Sequence, residues 1–334
     1  MYGYSRGSLV KKLEKLCSVP GVSGFEKQTG ISDALYALAK HINPDTIQDQ
    51  RGNVISIVGT GDTKIALDAH MDEVGFTIVD ISAHQIELST VGVYTLSQIA
   101  GSPVFVIVKN ILWTLYVQDG RLFFRPDHLE ESDLCSVGDI LTFQRSFHHI
   151  SEEEIEATAL DNRVGCSLLL EILKTITVPE DVTLVCIFSV QEEINNSNID
   201  EISRQYGVHQ GIIIESAYAQ PLHFDTSGMV IPRLWQGCAI QYQWEDFVID
   251  QNLIWSIETL AHNESIRIQQ EIPTTDIGRT NCSKFQRISG LECCAINIPV
   301  RNQHVKKSQV CVSDMIEAYK LIVSLIAQHR SIFK

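Results

Sequence analysis

Five separated stretches of this chain carry imidazoles and carboxylates where they could hold a divalent metal and ready a water for attack. The first is Asp68-Ala69-His70-Met71-Asp72-Glu73, directly after the apolar run Ile65-Ala66-Leu67. Residues i and i+2 of an extended chain face the same way. His70 and Asp72 therefore pair a ligand with a carboxylate that can hold a ring N–H, fix its orientation and raise its basicity. A His-x-Asp at a strand end also serves as a simple turn or hydrogen-bonded pair, so the weight falls on recurrence. Gln191-Glu192-Glu193 follows the apolar run Val182–Val190, Glu215 follows Ile212–Ile214, and His304 comes shortly after Ala295–Ile298. Asp161 stands where a helical pattern begins. Two histidines with several carboxylates suit Zn²⁺, Co²⁺ or Mn²⁺. Adjacent glutamates at a buried strand end repel unless a cation neutralises one. One can then ligate while the other takes a proton from a water whose pKa falls toward about 7 beside the metal. Asp161 reads either as a helix N-cap or as a bridge between two metals roughly 3.5–4 Å apart.

The elements that must position these groups follow from periodicity. Leu9, Val10, Leu13, Leu16 and Cys17 recur at helical spacing, and Ile31, Leu35, Leu38 and Ile42 mark a second helix that Pro44 stops. Ser23 and Glu26 have the spacing of a capping box. Strands are expected at Val54–Val58 and Ile65–Leu67, with a turn at Gly59–Asp62. After Phe76 come strand-like pieces with little helix: Thr77–Val79, Ile86–Leu88, Val104–Val108, Leu112–Val117, Leu122–Phe124 and Ile140–Phe143. From about Ile155 helices and strands alternate again: a 164–176 helix, the strand Val182–Val190, a short helix over Ile199–Tyr206, the strand Gly211–Ile214, a helix over Asn252–Ile268, the strand Ala295–Ile298 and a last helix over Val312–His329. The chain is thus expected to be α/β. An α/β/α catalytic domain with a mixed central sheet spans 1–74 and 152–334, and a small β-barrel-like domain is inserted at 75–151. In open α/β sheets ligands bind beyond the carboxyl ends of the strands, where the five stretches lie.

Composition narrows the function. The chain has 334 residues, 44% of them hydrophobic and 20% charged, with a net charge of -15. An acidic chain lacks the basic face that nucleic acid requires, so no nucleic-acid partner is expected. No apolar run approaches the roughly 18–20 residues of a membrane span, the first residues lack a signal-peptide core, and a cytoplasmic location is expected. The nine cysteines are scattered, in apolar company and without C-x-x-C pairs, as for buried reduced thiols. Among other conspicuous residues, His148-His149 is expected to be exposed, and the four tryptophans to pack or form interfaces. Asp276 with Gly278 either shapes a substrate pocket or makes a turn.

At these residues the sequence resembles the tetrahedral aminopeptidase family, dimetal enzymes that include glutamyl, leucyl, lysyl and deblocking aminopeptidases and are also labelled endoglucanase or cellulase M. The strings LCSVPGVSGFE (16–26), RGNVI (51–55), DAHMDEVGF (68–76), ALDNRVG (159–165), SVQEE (189–193), DTSG (225–228), TTDIG (274–278) and IPVRNQH (298–304) carry the resemblance nearly end to end. It implies a metal-dependent aminopeptidase acting on short peptides with two divalent ions, zinc or cobalt and also manganese. His70, Asp161, Glu193, Glu215 and His304 are the implied ligands, with Asp161 shared. Glu192 is the implied general base, and Asp72 the acid that orients His70. The inserted block matches a dimerisation domain, and the implied partner is further copies of the chain, as a dimer or a twelve-subunit tetrahedron. The departures are Glu215 where the family has Asp, Ile194–Asn198 in place of a glycine-containing stretch, Gly237-Cys238 for Gly-Pro, and Asn302-Gln303 and Val305 around His304. They motivate an alternative, a catalytically impaired or regulatory relative. A further reading, a glycosidase, needs two carboxylates about 5–9 Å apart without metal.

Overall fold

The computed structural model describes residues 3–82, 85–107, 111–124, 135–222, 226–244, 247–273, 280–288 and 290–333. Asp276, Gly278, Asp225 and Val108 lie outside them, as does the side chain of Trp244.

Strands β1 (Ile47–Gln48), β2 (Val54–Gly59) and β3 (Thr63–His70) precede a β-rich stretch. That stretch holds β4 (Gly75–Ile81), β5 (Ile86–Val91), β6 (Pro103–Val106), β7 (Ile111–Thr114), β8 (Tyr116–Gln118), β9 (Arg121–Phe124) and β10 (Ile140–Phe143). Next come β11 (Phe147–His149), β12 (Glu154–Ala157), β13 (Val182–Ser189), β14 (Gln210–Tyr218) and β15 (Cys238–Gln241). The last are β16 (Gln243–Trp244), β17 (Phe247–Val248), β18 (Ile268–Glu271), β19 (Glu292–Arg301) and β20 (Ser308–Cys311).

Among the described residues, a mixed sheet runs β1-β2-β13-β3-β14-β19-β20-β12-β11, with β15 and β18 added beside β19. Its centre, β13, β3, β14 and β19, is parallel. These strands read as continuous apolar runs because both faces are covered, and β13 is buried throughout. The helix Leu160–Thr175 packs on β3 and β14, Cys282–Gln286 on β14 and β19, and Val312–Ala327 on β19. The turn after β2 does not make a hairpin, since β13 lies between β2 and β3.

The second sheet runs β7-β6-β10-β4-β5-β9-β8. Its edge strands β7 and β8 are separated in sequence by Leu115 alone, so the stretch expected as one strand over Leu112–Val117 is two. The chain breaks there because Leu115 exchanges backbone bonds with the 101–102 turn: its N–H donates to the Ser102 carbonyl, and its carbonyl accepts from Gly101. Consecutive strands at opposite edges bring the sheet almost to closure. Trp113 of β7 stacks on Phe124 of β9 in its interior, within an apolar cluster that includes Phe76, Ile78, Leu88, Val104, Leu141 and Phe143. Gly75, where the chain passes from one sheet to the other, has no room for a side chain: a Cβ would sit 2.6 Å from Val22 methyls and 2.9 Å from the Leu141 carbonyl.

Two further expectations change. The helix expected to reach Ile268 ends at Asn263, because Ser265 turns to φ 55° and Ile266 N–H caps back on Ala261; Ile268 then opens β18. The Ser23/Glu26 capping box does not form. Ser23 N–H donates to the Glu73 carbonyl, while the buried Glu26 carboxylate accepts from Gly24 N–H at 3.0 Å and from Gln191 N–H at 2.9 Å. That carboxylate is committed to holding the turn that carries Glu192 and Glu193.

Candidate metal centre

Each functional side chain is placed by a strand end or the turn beyond it. His70 closes β3 and pairs with Ser189 at the end of β13. Gln191, at φ 61°, reverses the chain so that Glu192 and Glu193 turn back over the sheet. Their backbone N–H groups donate to the two oxygens of Asp72, at 3.2 and 3.0 Å. Asp72 thus anchors both the His70 strand and the Glu192–Glu193 turn. Glu215 sits inside β14, which runs on to Tyr218 instead of ending at Ile214. Asp161 and Asn162 keep non-helical backbone angles ahead of the regular helix. Asn162 Nδ2 donates to the Ile214 carbonyl at 2.8 Å and to Glu215 at 3.1 Å. Gly165 follows because a Cβ there would meet Asn162 Oδ1 at 2.5 Å and the Ile214 carbonyl at 2.9 Å.

The five candidate ligands gather into two groups that share Asp161: His70, Asp161 and Glu215, and Asp161, Glu193 and His304. His70 Nε2 stands 3.3 Å from Asp161 Oδ1 and 3.3 Å from Glu215 Oε2. His304 Nε2 stands 3.2 Å from Asp161 Oδ2 and 3.4 Å from Glu193 Oε2. Two ligand atoms each about 2.1 Å from one tetrahedral ion are separated by about 3.4 Å, so these spacings fit a metal. Glu193 Oε1 and Glu215 Oε1 are buried with no hydrogen-bond partner, which suits oxygens placed to face a cation. The electrostatics agree. Burial pushes Glu192 well above the ordinary carboxylate range and Glu193 up to about 8, with neighbouring carboxylates adding to both. Burial alone would lower the two histidines, yet Glu215, Asp161 and Asp72 hold His70 well above its usual value, and Glu193 and Asp161 bring His304 up to about 9. A buried set this rich in acids needs positive charge.

The supporting contacts were not singled out from the sequence. His304 Nδ1 is 2.8 Å from the Val93 carbonyl, just after β5 in the second sheet, and this fixes Nε2 toward Asp161. The rings of Tyr94 and Tyr218 flank the imidazole at 6.4 and 6.1 Å between centroids. Glu73, the residue after Asp72, takes two bonds from Arg145 between β10 and β11, one from Gly21 N–H at 2.7 Å, and lies 3.7 Å from the fully buried Arg163. Glu73 and Arg163 belong to the DAHMDEVGF and ALDNRVG strings, but Arg145 has no local signal. Replacing Arg145 by Ala leaves a buried carboxylate with weaker compensation. Stability is expected to fall by about 3 kcal/mol, read by urea denaturation; an unchanged midpoint would refute that role.

The other conspicuous residues take no part. His148 and His149 are exposed on β11. Trp113 is core, and Trp235 and Trp255 are 42% and 59% exposed. All nine cysteines are buried and unpaired as disulfides.

Residues 52–131 and 127–321 match the family described as M42 glutamyl aminopeptidase. A lysyl aminopeptidase of Pyrococcus furiosus is 24% identical over 344 residues, 95% of this chain and 96% of the relative. The fold is similar to that of a TET aminopeptidase from a marine-sediment archaeon of the Thaumarchaeota, with TM-score 0.88, 19% identity and 98% of each chain covered. It is also similar to a Pyrococcus horikoshii TET1 peptidase described as assembling into a tetrahedron or a large octahedral shell, with TM-score 0.80, 23% identity and coverage of 95% and 99%.

Proposed function

This chain belongs to the M42 glutamyl aminopeptidase family and is a metal-dependent aminopeptidase, and from that premise we propose that it removes N-terminal residues from short peptides with two divalent cations as cofactors. His70, Asp161 and Glu215 would hold one cation, and Glu193 and His304 the other, with Asp161 shared. Zinc, cobalt or manganese suits this donor set. The observation that supports the assignment best is Asp161, whose two oxygens each face the Nε2 of a different histidine. The chemistry supplied by such cations when bound is charge, which polarises a scissile carbonyl and draws the pKa of a water toward about 7.

The remaining work falls to the chain. Glu192 is buried, adjoins the ligands and is not one of them. It takes the proton released as the nucleophile forms and returns it to the leaving amine. Asp72 faces His70 Nδ1 at 3.5 Å and keeps Nε2 directed at the ligand group. The reading as an impaired relative is not favoured, because every candidate ligand is of ligand-capable type, Glu215 included. A glycosidase is likewise not favoured.

We divide the chain into a catalytic part, 1–74 and 152–334, and a dimerisation part, 75–151. Leu112 and Tyr116, half exposed on the edge strands β7 and β8, support self-association as a dimer or up to a dodecamer. Buried reduced thiols support a cytoplasmic location, and no helix among the described residues is long and apolar enough to cross a membrane. The test combines elemental analysis with peptide digestion. The metal-loaded chain is expected to carry about two ions and to shorten a peptide one residue at a time from its N-terminus. Absence of bound metal, or cleavage only at internal bonds or from the C-terminus, overturns the reading.

A further inference from the structure

The face of the central sheet that carries His70 and Glu215 also carries a buried polar patch that the proposed mechanism does not use. Glu215 of β14 is in register with Asn297 of β19, Asn297 with Ala239 of β15, and Gln241 of β15 with Glu271 of β18. Partners in register, and residues two apart along a strand, share a face. Glu215, Asn297, Gln241 and Glu271 therefore project to the same side. Ala239 and Ala295 lie between them on that side, and their small side chains let Glu271 reach across β15 to Asn297. Asn297 Nδ2 donates to Glu271 Oε2 at 2.6 Å.

What the patch lacks is donors. Asn297, Gln241 and Glu271 are 2%, 2% and 4% exposed, and Asn297 Oδ1 and Gln241 Oε1 are buried without a hydrogen-bond partner. Among the described residues no Lys, Arg or His nitrogen lies within ion-pair distance of Glu271. Three other buried carboxylates have cations or N–H groups beside them: Glu73 has Arg145 and Arg163, Glu171 has Lys12, and Asp314 has the N–H groups of Trp235 and Gly237. Among the described residues Glu271 has no cation beside it; its backbone is three strand spacings, roughly 14 Å, from that of Glu215, but its bond to Asn297 brings its carboxylate to the strand next to Glu215.

We propose that Glu271, Gln241 and Asn297 form the floor of the pocket for the substrate's N-terminal side chain and select a cationic one, lysine or arginine. This rests on the aminopeptidase reading. An ammonium or guanidinium supplies the missing donors and charge; a leucine side chain leaves the oxygens unpaired, and a glutamate meets like charge. The competing occupant is ordered water, which satisfies the same oxygens but gives no side-chain preference.

The experiment measures kcat and KM of the metal-loaded chain on the p-nitroanilides of lysine, arginine, leucine and glutamate. Lysine and arginine are expected to lead in kcat/KM. In Glu271→Gln the lysine-to-leucine ratio is expected to fall about ten- to a hundredfold, the surviving leucine turnover reporting a folded enzyme. Gln241→Leu is expected to move the ratio the same way and serves if the first variant does not fold. A preference for leucine or glutamate in the parent chain, or a ratio unmoved by both variants, overturns the proposal. Failure to cleave any of the four sinks the aminopeptidase reading itself.

Discussion

Glu192→Gln is expected to lower kcat by about 10²–10⁴-fold, the range for removing a general acid–base group, while the chain still binds its two cations. The substitution keeps the side chain's shape and removes only its capacity to take and return a proton. It leaves the 192 backbone free to donate to Asp72 as before, so the turn that positions Glu193 is retained. Steady-state kinetics alongside elemental analysis separates the two effects. Turnover at the parent rate would end the assignment of Glu192, and loss of metal with loss of activity would make it a ligand instead. The neighbouring substitution Glu193→Gln provides the contrast, because it is expected to lower metal content as well as rate.

Asp161→Asn tests the shared ligand. One carboxylate faces both histidines, so a single substitution weakens both halves of the centre. Metal affinity is expected to drop by more than the roughly 10–100-fold typical of losing an outer-shell partner, with both ions affected. His304→Ala, which removes a proposed ligand from one half only, is expected to spare binding at the group of His70 and Glu215. Titration calorimetry with Zn²⁺ distinguishes the two patterns. If Asp161→Asn and His304→Ala each lost a single site, Asp161 would not be a bridge.

Much of this arrangement was legible in the sequence because four of the five candidate ligands come at or after an apolar run, and apolar runs in a parallel sheet end on the same edge; Asp161 instead stands at a helix start. His70 after β3, Glu192 and Glu193 after β13, and His304 after β19 could be lined up on that ground alone. What could not be read were contacts set by tertiary packing. Arg145 reaches Glu73 from a loop with no pattern of its own, and the Gln241–Glu271 pairing depends on β15 lying between β19 and β18. Leu112–Val117 looked like one strand because hydrophobicity is continuous through Leu115, and only sheet closure breaks it. The helix after Asn252 stops short of its apolar pattern, which Ile266 and Ile268 continue past a turn at Ser265 where no glycine or proline gives warning.

The bond between the Val93 carbonyl and His304 reaches further than its one partner suggests. A backbone oxygen from the smaller sheet sets the aim of an imidazole rooted in the larger one, so the two halves of the molecule are calibrated against each other. A shortened form lacking residues 75–151 would lose that acceptor, and His304 would be aimed only by Asp161, Glu193 and Tyr218.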